Sequence, residues 1–468
     1  SLGIEKGDRV AVMLMNSLEF IEVFLACSRL GAIFVPINYR ITARELNHPI
    51  ANARPRVFIF DQSYMGMIES IGLEKQLPPM LLAVVGDVPP SGSTRYYNGE
   101  TAELDGTQPF VSRSLGPSDP EEPQVIMYTS GTTGAPKGAV LSHRKTFFNC
   151  LNAEIFFKLN FDDIMLIVLP LFHSGGLFIQ AAPTIYKGAT ILLHSKFDPV
   201  SVYRDIEKYG VSKFLGVPTV FRSLLSAPPE HRRDVSSLKT IAGGGEKTSR
   251  ELFQACKAGG FGFRQIMGQT ETSILLWASE DVSLNRPGTV GRPVFHAEVG
   301  ILDKSGRRVK PGEIGEIVVR GSIMMKEYWQ DPEQTDATIK NGYLHTGDLA
   351  YVDRDGYYYL VDRVDDMYIS GGENVYPAEV EAVLREMKGI DDIAVVGVPD
   401  ETWGYAGHAF VIPQKGCSFE LADLQRHCHE RLARYKIPKQ LSFVKNLPRT
   451  ALGKVRKTEL RQQMLSTQ

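Results

Sequence analysis

The sequence predicts an α/β protein. A large N-terminal domain of layered α/β subdomains, with a small β-rich subdomain, is followed by a small α+β C-terminal domain. Three observations predict this. Over the first two-thirds, short apolar runs alternate with amphipathic ones, the pattern of largely parallel sheets covered by helices. After about Arg292 strands dominate and hairpin turns appear. Beyond Asp362-Arg363-Val364-Asp365 lies a stretch of about a hundred residues, an ordinary domain size. The domains are therefore drawn as 1–364 and 365–468.

The elements follow in order. Residues 9–15 read as a strand and 18–30 as a helix, with Ile21, Phe24, Leu25 and Cys27 toward one face. Residues 57–61 are a strand. The best apolar run, 164–172, is too short to span a bilayer and contains Pro170, so it reads as a buried strand. A strand at 189–193, a helix at 199–209 and a strand at 213–216 continue the alternation. Asp303-Lys304-Ser305-Gly306 then separates strands 298–302 and 308–310. Asp355-Gly356 separates strands 349–352 and 357–361, a hairpin signal. In the last region, helix 378–387 presents Val380, Val383, Leu384 and Met387 on one face. Strands 393–398 and 408–413 follow, then helix 420–433.

The 468 residues are 43% hydrophobic and 23% charged, as in globular proteins, and the net charge of −2 gives no nucleic-acid partner. Five scattered cysteines form no disulfide framework, which fits a reducing cytoplasm. His427-Cys428-His429 is no metal site, because helix neighbours two apart face different ways. There is no bilayer-spanning segment and no secretory signal. Peripheral membrane contact and homodimer formation stay open.

The most informative string is Tyr128 to Gly138, YTSGTTGAPKG, after the apolar run Val125-Ile126-Met127. Glycines admit a polyanion close to backbone N–H groups, hydroxyls add neutral donors, and lysine adds a point charge. Such a loop holds phosphates. It is not a Walker A loop, because Lys137 follows a proline and precedes Gly138. Composition alone also allows a plain surface loop. Further on, His173 sits where an apolar strand opens into Ser174-Gly175-Gly176, a place where α/β proteins build sites. Gly243-Gly244-Gly245 lets a flat ligand lie against backbone. Met267-Gly268-Gln269-Thr270-Glu271 offers hard oxygens for Mg²⁺, and Asp348 in Tyr343-Leu344-His345-Thr346-Gly347-Asp348 offers a carboxylate suited to a ribose diol. Ser370-Gly371-Gly372-Glu373-Asn374-Val375-Tyr376-Pro377 makes a tight turn before a helix. Lys454 lies in Leu447-Pro448-Arg449-Thr450-Ala451-Leu452-Gly453-Lys454.

Together and in this order, these strings resemble the adenylate-forming superfamily of acyl-CoA synthetases, firefly-luciferase-like enzymes and peptide-synthetase adenylation domains. They are most similar to bacterial fatty-acyl-CoA synthetases. The resemblance implies ATP-dependent ligation of a carboxylic acid to CoA through an acyl-adenylate, with pyrophosphate released. It assigns the ATP phosphates to Thr129, Ser130, Gly131, Thr132, Thr133, Gly134 and Lys137. Mg²⁺ falls to Glu271 and Thr132. Adenine and the acyl group fall to Gly243, Gly244, Gly245, Met267, Gly268 and Gln269. The ribose falls to Asp348 and Arg363, the pantetheine channel of CoA to Gly371 and Gly372, and the chemistry to Lys454, Thr270, Glu271 and His173. It also implies a mobile C-terminal domain pivoting at Asp365, and a few dozen residues before Ser1.

Two departures stand out. Glu246 replaces a usual proline, and Met267 replaces an aromatic that stacks on adenine. Ile274, Leu275 and Trp277 favour an apolar acid, most of all a medium- or long-chain fatty acid. An aryl acid remains open, as do a dicarboxylic acid anchored by Arg222, an acceptor other than CoA, and a non-catalytic scaffold.

Overall fold

The computed structural model describes residues 3–71, 81–86, 95–97, 119–129, 136–245, 248, 250–303, 305–363, 368–375, 377–448, 455 and 457–465. The chain divides into two compact units. One comprises residues 1–39, 50–128 and 138–362, and the other 40–49, 129–137 and 363–468.

The larger unit is built on two sheets. In the first, Ile33–Pro36, Arg9–Met13, Val57–Asp61 and Leu81–Val85 lie side by side and parallel. The first strand stops at Met13 because Ser17 caps the next helix, Leu18–Leu30, its side chain accepting from Phe20 N at 3.3 Å. Gly31, at φ 67°, ends that helix in the left-handed conformation that lacks a Cβ penalty.

The second sheet changes character along its width. Thr190–Leu193, Ile164–Ile167, Lys213–Gly216, Thr240–Gly243 and Arg264–Gln269 pair in parallel. Ser273–Ala278 then turns back antiparallel, and Thr289–Pro293 and Tyr358–Arg363 continue in that sense. The strands after Arg292 pair antiparallel, as expected of a β-rich subdomain, and they join the second sheet through Thr289–Pro293. The run 164–172 is a strand only to Ile167, since Pro170 lacks the N–H a ladder needs. The expected strand at 308–310 reduces to one bridge, Leu302 to Arg308.

The smaller unit has its own core. Gly404–Pro413 pairs antiparallel with Ile390–Asp400 and parallel with Gln440–Phe443. Helices Pro377–Leu384 and Leu421–His429 bring Val380, Leu384, Leu424 and Cys428 into that core. The second helix stops short of residue 433 because Arg431 N and Leu432 N both bond to Cys428 O, tightening its last turn. Within this unit Lys436 is buried between Glu45 and Glu379, at 2.7 Å from each.

Burial pushes the thiols of Cys27, Cys150, Cys256 and Cys428 up to about 12, whereas Cys417 is exposed. No helix among the described residues is long and apolar enough to cross a membrane.

Where the second sheet crosses from Ser273–Ala278 to Thr289–Pro293, Gly291 has φ 96°, and a Cβ there would stand 1.8 Å from Trp277 O. Backbone cannot yield as a side-chain tip can. Gly291→Ala is expected to cost about 3 kcal/mol. Gly312→Ala, with φ 89° and open space around it, is expected to cost about 1 kcal/mol. Urea unfolding of the two variants measures the difference.

Candidate active site

The site in the larger unit forms where the second sheet reverses. Arg264–Gln269 carries a bulge between Met267 and Gly268, and the chain returns at Ser273. The turn is tight. Thr272 N bonds Gln269 O at 3.1 Å, and a Cβ on Gly268 would stand 1.7 Å from Ser273 O. Ser273 itself takes φ 57°, a left-handed conformation uncommon outside glycine, asparagine and aspartate.

This turn presents Glu271, which is 8% exposed. Its Oε1 accepts from the Tyr328 hydroxyl at 2.9 Å, and its backbone carbonyl accepts from Met325 N at 2.7 Å. Behind it lies Lys145, in the first turn of helix His143–Phe157 and fully buried. Lys145 Nζ donates to Ser273 Oγ at 2.6 Å and stands 5.4 Å from the centre of the Phe178 ring. Burial pulls its ammonium down to about 7, and the charge of Glu271 opposes that fall.

The other predicted residues of this unit sit as follows. Asp348 is buried in the alternating strand Tyr343–Val352. Its N–H donates to Thr346 Oγ1 at 3.1 Å, and that hydroxyl donates to Ile317 O at 2.9 Å. Met267 is buried, while Gln269 and Thr270 are half-buried. His173 is half-buried, with its ring 4.4 Å from that of Phe172, which meets Tyr39 edge-on at 5.3 Å.

Gly243 and Gly244 have a packing reason to be glycine. A Cβ on the first would stand 2.4 Å from the Phe263 ring, and on the second 2.6 Å from Ile266 O. Gly245 takes φ 86°. Ile274 and Leu275 belong to the main core, and Trp277 packs against Phe156 with Arg264 over its ring. Arg222 is exposed on helix Pro218–Leu225, whose Phe221 and Leu224 are buried.

In the smaller unit, the Thr129 hydroxyl and Lys137 O are 3.4 Å apart, and Lys137 is half-buried. Gly371 and Gly372 have φ 58° and 83°. Gly371 N bonds Trp403 O at 2.9 Å, and a Cβ on Gly371 would meet the Trp403 ring at 2.7 Å. Arg363 ends the strand Tyr358–Arg363. Ser130, Gly131, Thr132, Thr133, Gly134, Glu246, Asp365 and Lys454 lie outside the described residues.

Sequence reasoning missed Tyr328, Lys145 and Ser273. One signal was present. Lys145, Asn149 and Asn152 recur at helical spacing on the same face as the core residues Ala153 and Phe156.

The family model described as AMP-binding enzyme matches residues 1–329, and that described as AMP-binding enzyme C-terminal domain matches residues 379–454. A feruloyl-CoA synthase of Amycolatopsis is 37% identical over 461 residues, covering 98% of this chain and 89% of its own. An indoleacetate–CoA ligase of Aromatoleum aromaticum is 37% identical over 463 residues, with the same 98% and 89% coverage. A solved structure of o-succinylbenzoate CoA synthetase from Bacillus subtilis, a double mutant bound with a product analogue, matches with TM-score 0.84 at 30% identity. That match covers 98% of this chain and 89% of the other.

The buried Lys145 makes stability depend on pH. Its ammonium titrates near 7 in the fold and near 10.5 in the unfolded chain. Between those values the unfolded chain holds more protons, so this group's contribution to stability rises with pH across the window. The Tm of the wild type relative to Lys145→Met is expected to increase from pH 7 to pH 10 in thermal melts. A flat difference would show that Lys145 is not held neutral.

Proposed function

The chain belongs to the family of AMP-binding enzymes, and from that premise we propose that it joins an aryl carboxylic acid to CoA through an acyl-adenylate. The observation that carries the aryl reading over a fatty acid is the 37% identity, across 98% of the chain, to relatives named for feruloyl-CoA and indoleacetate. Both names denote acids with an aromatic ring. Aromatic surface around His173, from Phe172 and Tyr39, supports the same choice.

A carboxylate is a poor acylating agent because its charge repels nucleophiles. Attack of its oxygen on the α-phosphorus of ATP forms a mixed anhydride with AMP and expels pyrophosphate. Both partners are anions, so positive charge must already be in place. Lys454 supplies it between carboxylate and α-phosphate, while the loop containing Thr132, Thr133 and Lys137 holds the phosphates. Asp348 accepts the ribose hydroxyls. The CoA thiolate then attacks the acyl carbon beside Gly371 and Gly372, and AMP leaves with the bonding electron pair.

Among the described residues no three His, Cys, Asp or Glu side chains gather as a ready-made metal site. A single carboxylate such as Glu271, steadied by Tyr328 on one oxygen, suits a Mg²⁺ that arrives on ATP and keeps phosphate and water ligands. Bound there, Mg²⁺ would neutralise phosphate charge.

Acid-dependent pyrophosphate release across a panel of aryl and fatty acids, with and without CoA, tests the reading. CoA-dependent turnover of aryl acids is expected, and turnover confined to fatty acids would overturn the aryl choice. Lys454→Ala is expected to lower pyrophosphate release at least ~100-fold. Transfer of a supplied acyl-adenylate to CoA should change less than about threefold, because the lysine serves only the first step. Equal loss in both assays would remove that assignment.

A further inference from the structure

Helix His143–Phe157 turns polar side chains inward beside the site. Lys145 and Asn149, four residues apart and so on one face, are fully and 99% buried respectively. Both converge on Phe178. Lys145 Nζ lies over its ring, and Asn149 Nδ2 donates to its carbonyl. Phe178 belongs to a π-helical turn, Leu177–Ala181, and such turns gather at functional sites. One turn before it, Ser174 follows His173, the residue that the aryl-acid reading sets beside the acid.

The hydrogen-bonding capacity of this face is not used up. Lys145 has two N–H groups even when neutral and, among the described residues, one acceptor, Ser273 Oγ. Asn149 Oδ1 and Ser174 Oγ have no hydrogen-bond partner among the described residues. A buried polar atom left without a partner costs about 1–3 kcal/mol, so two together call for an explanation. The surroundings are otherwise apolar. Leu177, Phe178, Ile274 and Leu275 pack in the same core.

Resting on the aryl-acid reading, we propose that Lys145 and Asn149 form a polar floor that takes a hydroxyl group on the ring of the acid. The unmet groups are an N–H donor on Lys145 and an acceptor on Asn149. A phenolic hydroxyl fits both, accepting from the first and donating to the second. An ether or a bare ring fits only one or neither, and a carboxylate would set its charge against Asn149 Oδ1. A site that hydrogen-bonds a substrate hydroxyl rejects the analogue lacking it more strongly than an apolar pocket discriminates by size.

Calorimetric binding of 4-hydroxycinnamate, 4-methoxycinnamate and cinnamate tests the floor without requiring turnover. Pyrophosphate release from the same samples tests the ligase reading separately. The wild type is expected to bind the hydroxylated acid at least tenfold more tightly than either analogue. In Asn149→Leu and in Lys145→Met that preference is expected to fall to threefold or less, while cinnamate still binds. This pattern without pyrophosphate release would support the floor and sink the ligase reading. Equal binding of the three acids by the wild type, or no binding of any, would overturn the proposal whatever the variants do. So would a preference that survives both substitutions. Pyrophosphate release alongside either result would leave the ligase reading standing.

Discussion

Everything near the larger unit's site depends on one turn, from Gly268 to Ser273. There the second sheet stops running parallel and doubles back, and the turn holds Glu271 with only 8% of its surface exposed. Burying a carboxyl group and an amine so far from water is costly unless each is hydrogen-bonded. The fold answers with short-range order. Tyr328 holds the carboxylate of Glu271, Ser273 holds Lys145, and Gly268 leaves the room that both strands need. Loosening any one exposes the others to an unpaired polar group, so these residues form one interdependent set.

The smaller unit solves a related problem differently. Its buried ammonium, Lys436, meets two carboxyl groups at 2.7 Å, and burial raises the pKa of Glu379 against the pull of that ammonium. Breaking such a set by removing one member is costly, because it strands the remainder. The Gly371-Gly372 turn is tied by a backbone bond to Trp403, whose ring leaves no room for a Cβ on Gly371. Rigid turns on ordered strands hold their shape more exactly than mobile loops do.

Much of this was legible in the sequence, and the division has a physical cause. Local periodicity located the helices at 18–30 and 199–209 and the strands at 57–61 and 213–216 to the residue. It could not say which strands share a sheet, because pairing is a long-range choice. The β-rich texture after Arg292 was therefore legible, but its junction with the second sheet was not. Motif strings singled out Glu271 and Asp348, both of which are buried. Tyr328 and Lys145 escaped because their partners lie 57 and 128 residues away, with no local pattern to announce them. The glycines at 243 and 244 were read as clearance for a ligand, and the structure adds that Phe263 and Ile266 already demand it.

The cysteines carry a practical consequence. Four thiols are sealed in and hard to ionise, leaving Cys417 as the exposed one. Maleimide chemistry runs through the thiolate, so it discriminates sharply between such environments. Within these 468 residues, Cys417 is thus a single address for a dye or spin label on the smaller unit. A label there would report on the surroundings of the smaller unit without first replacing the four buried cysteines.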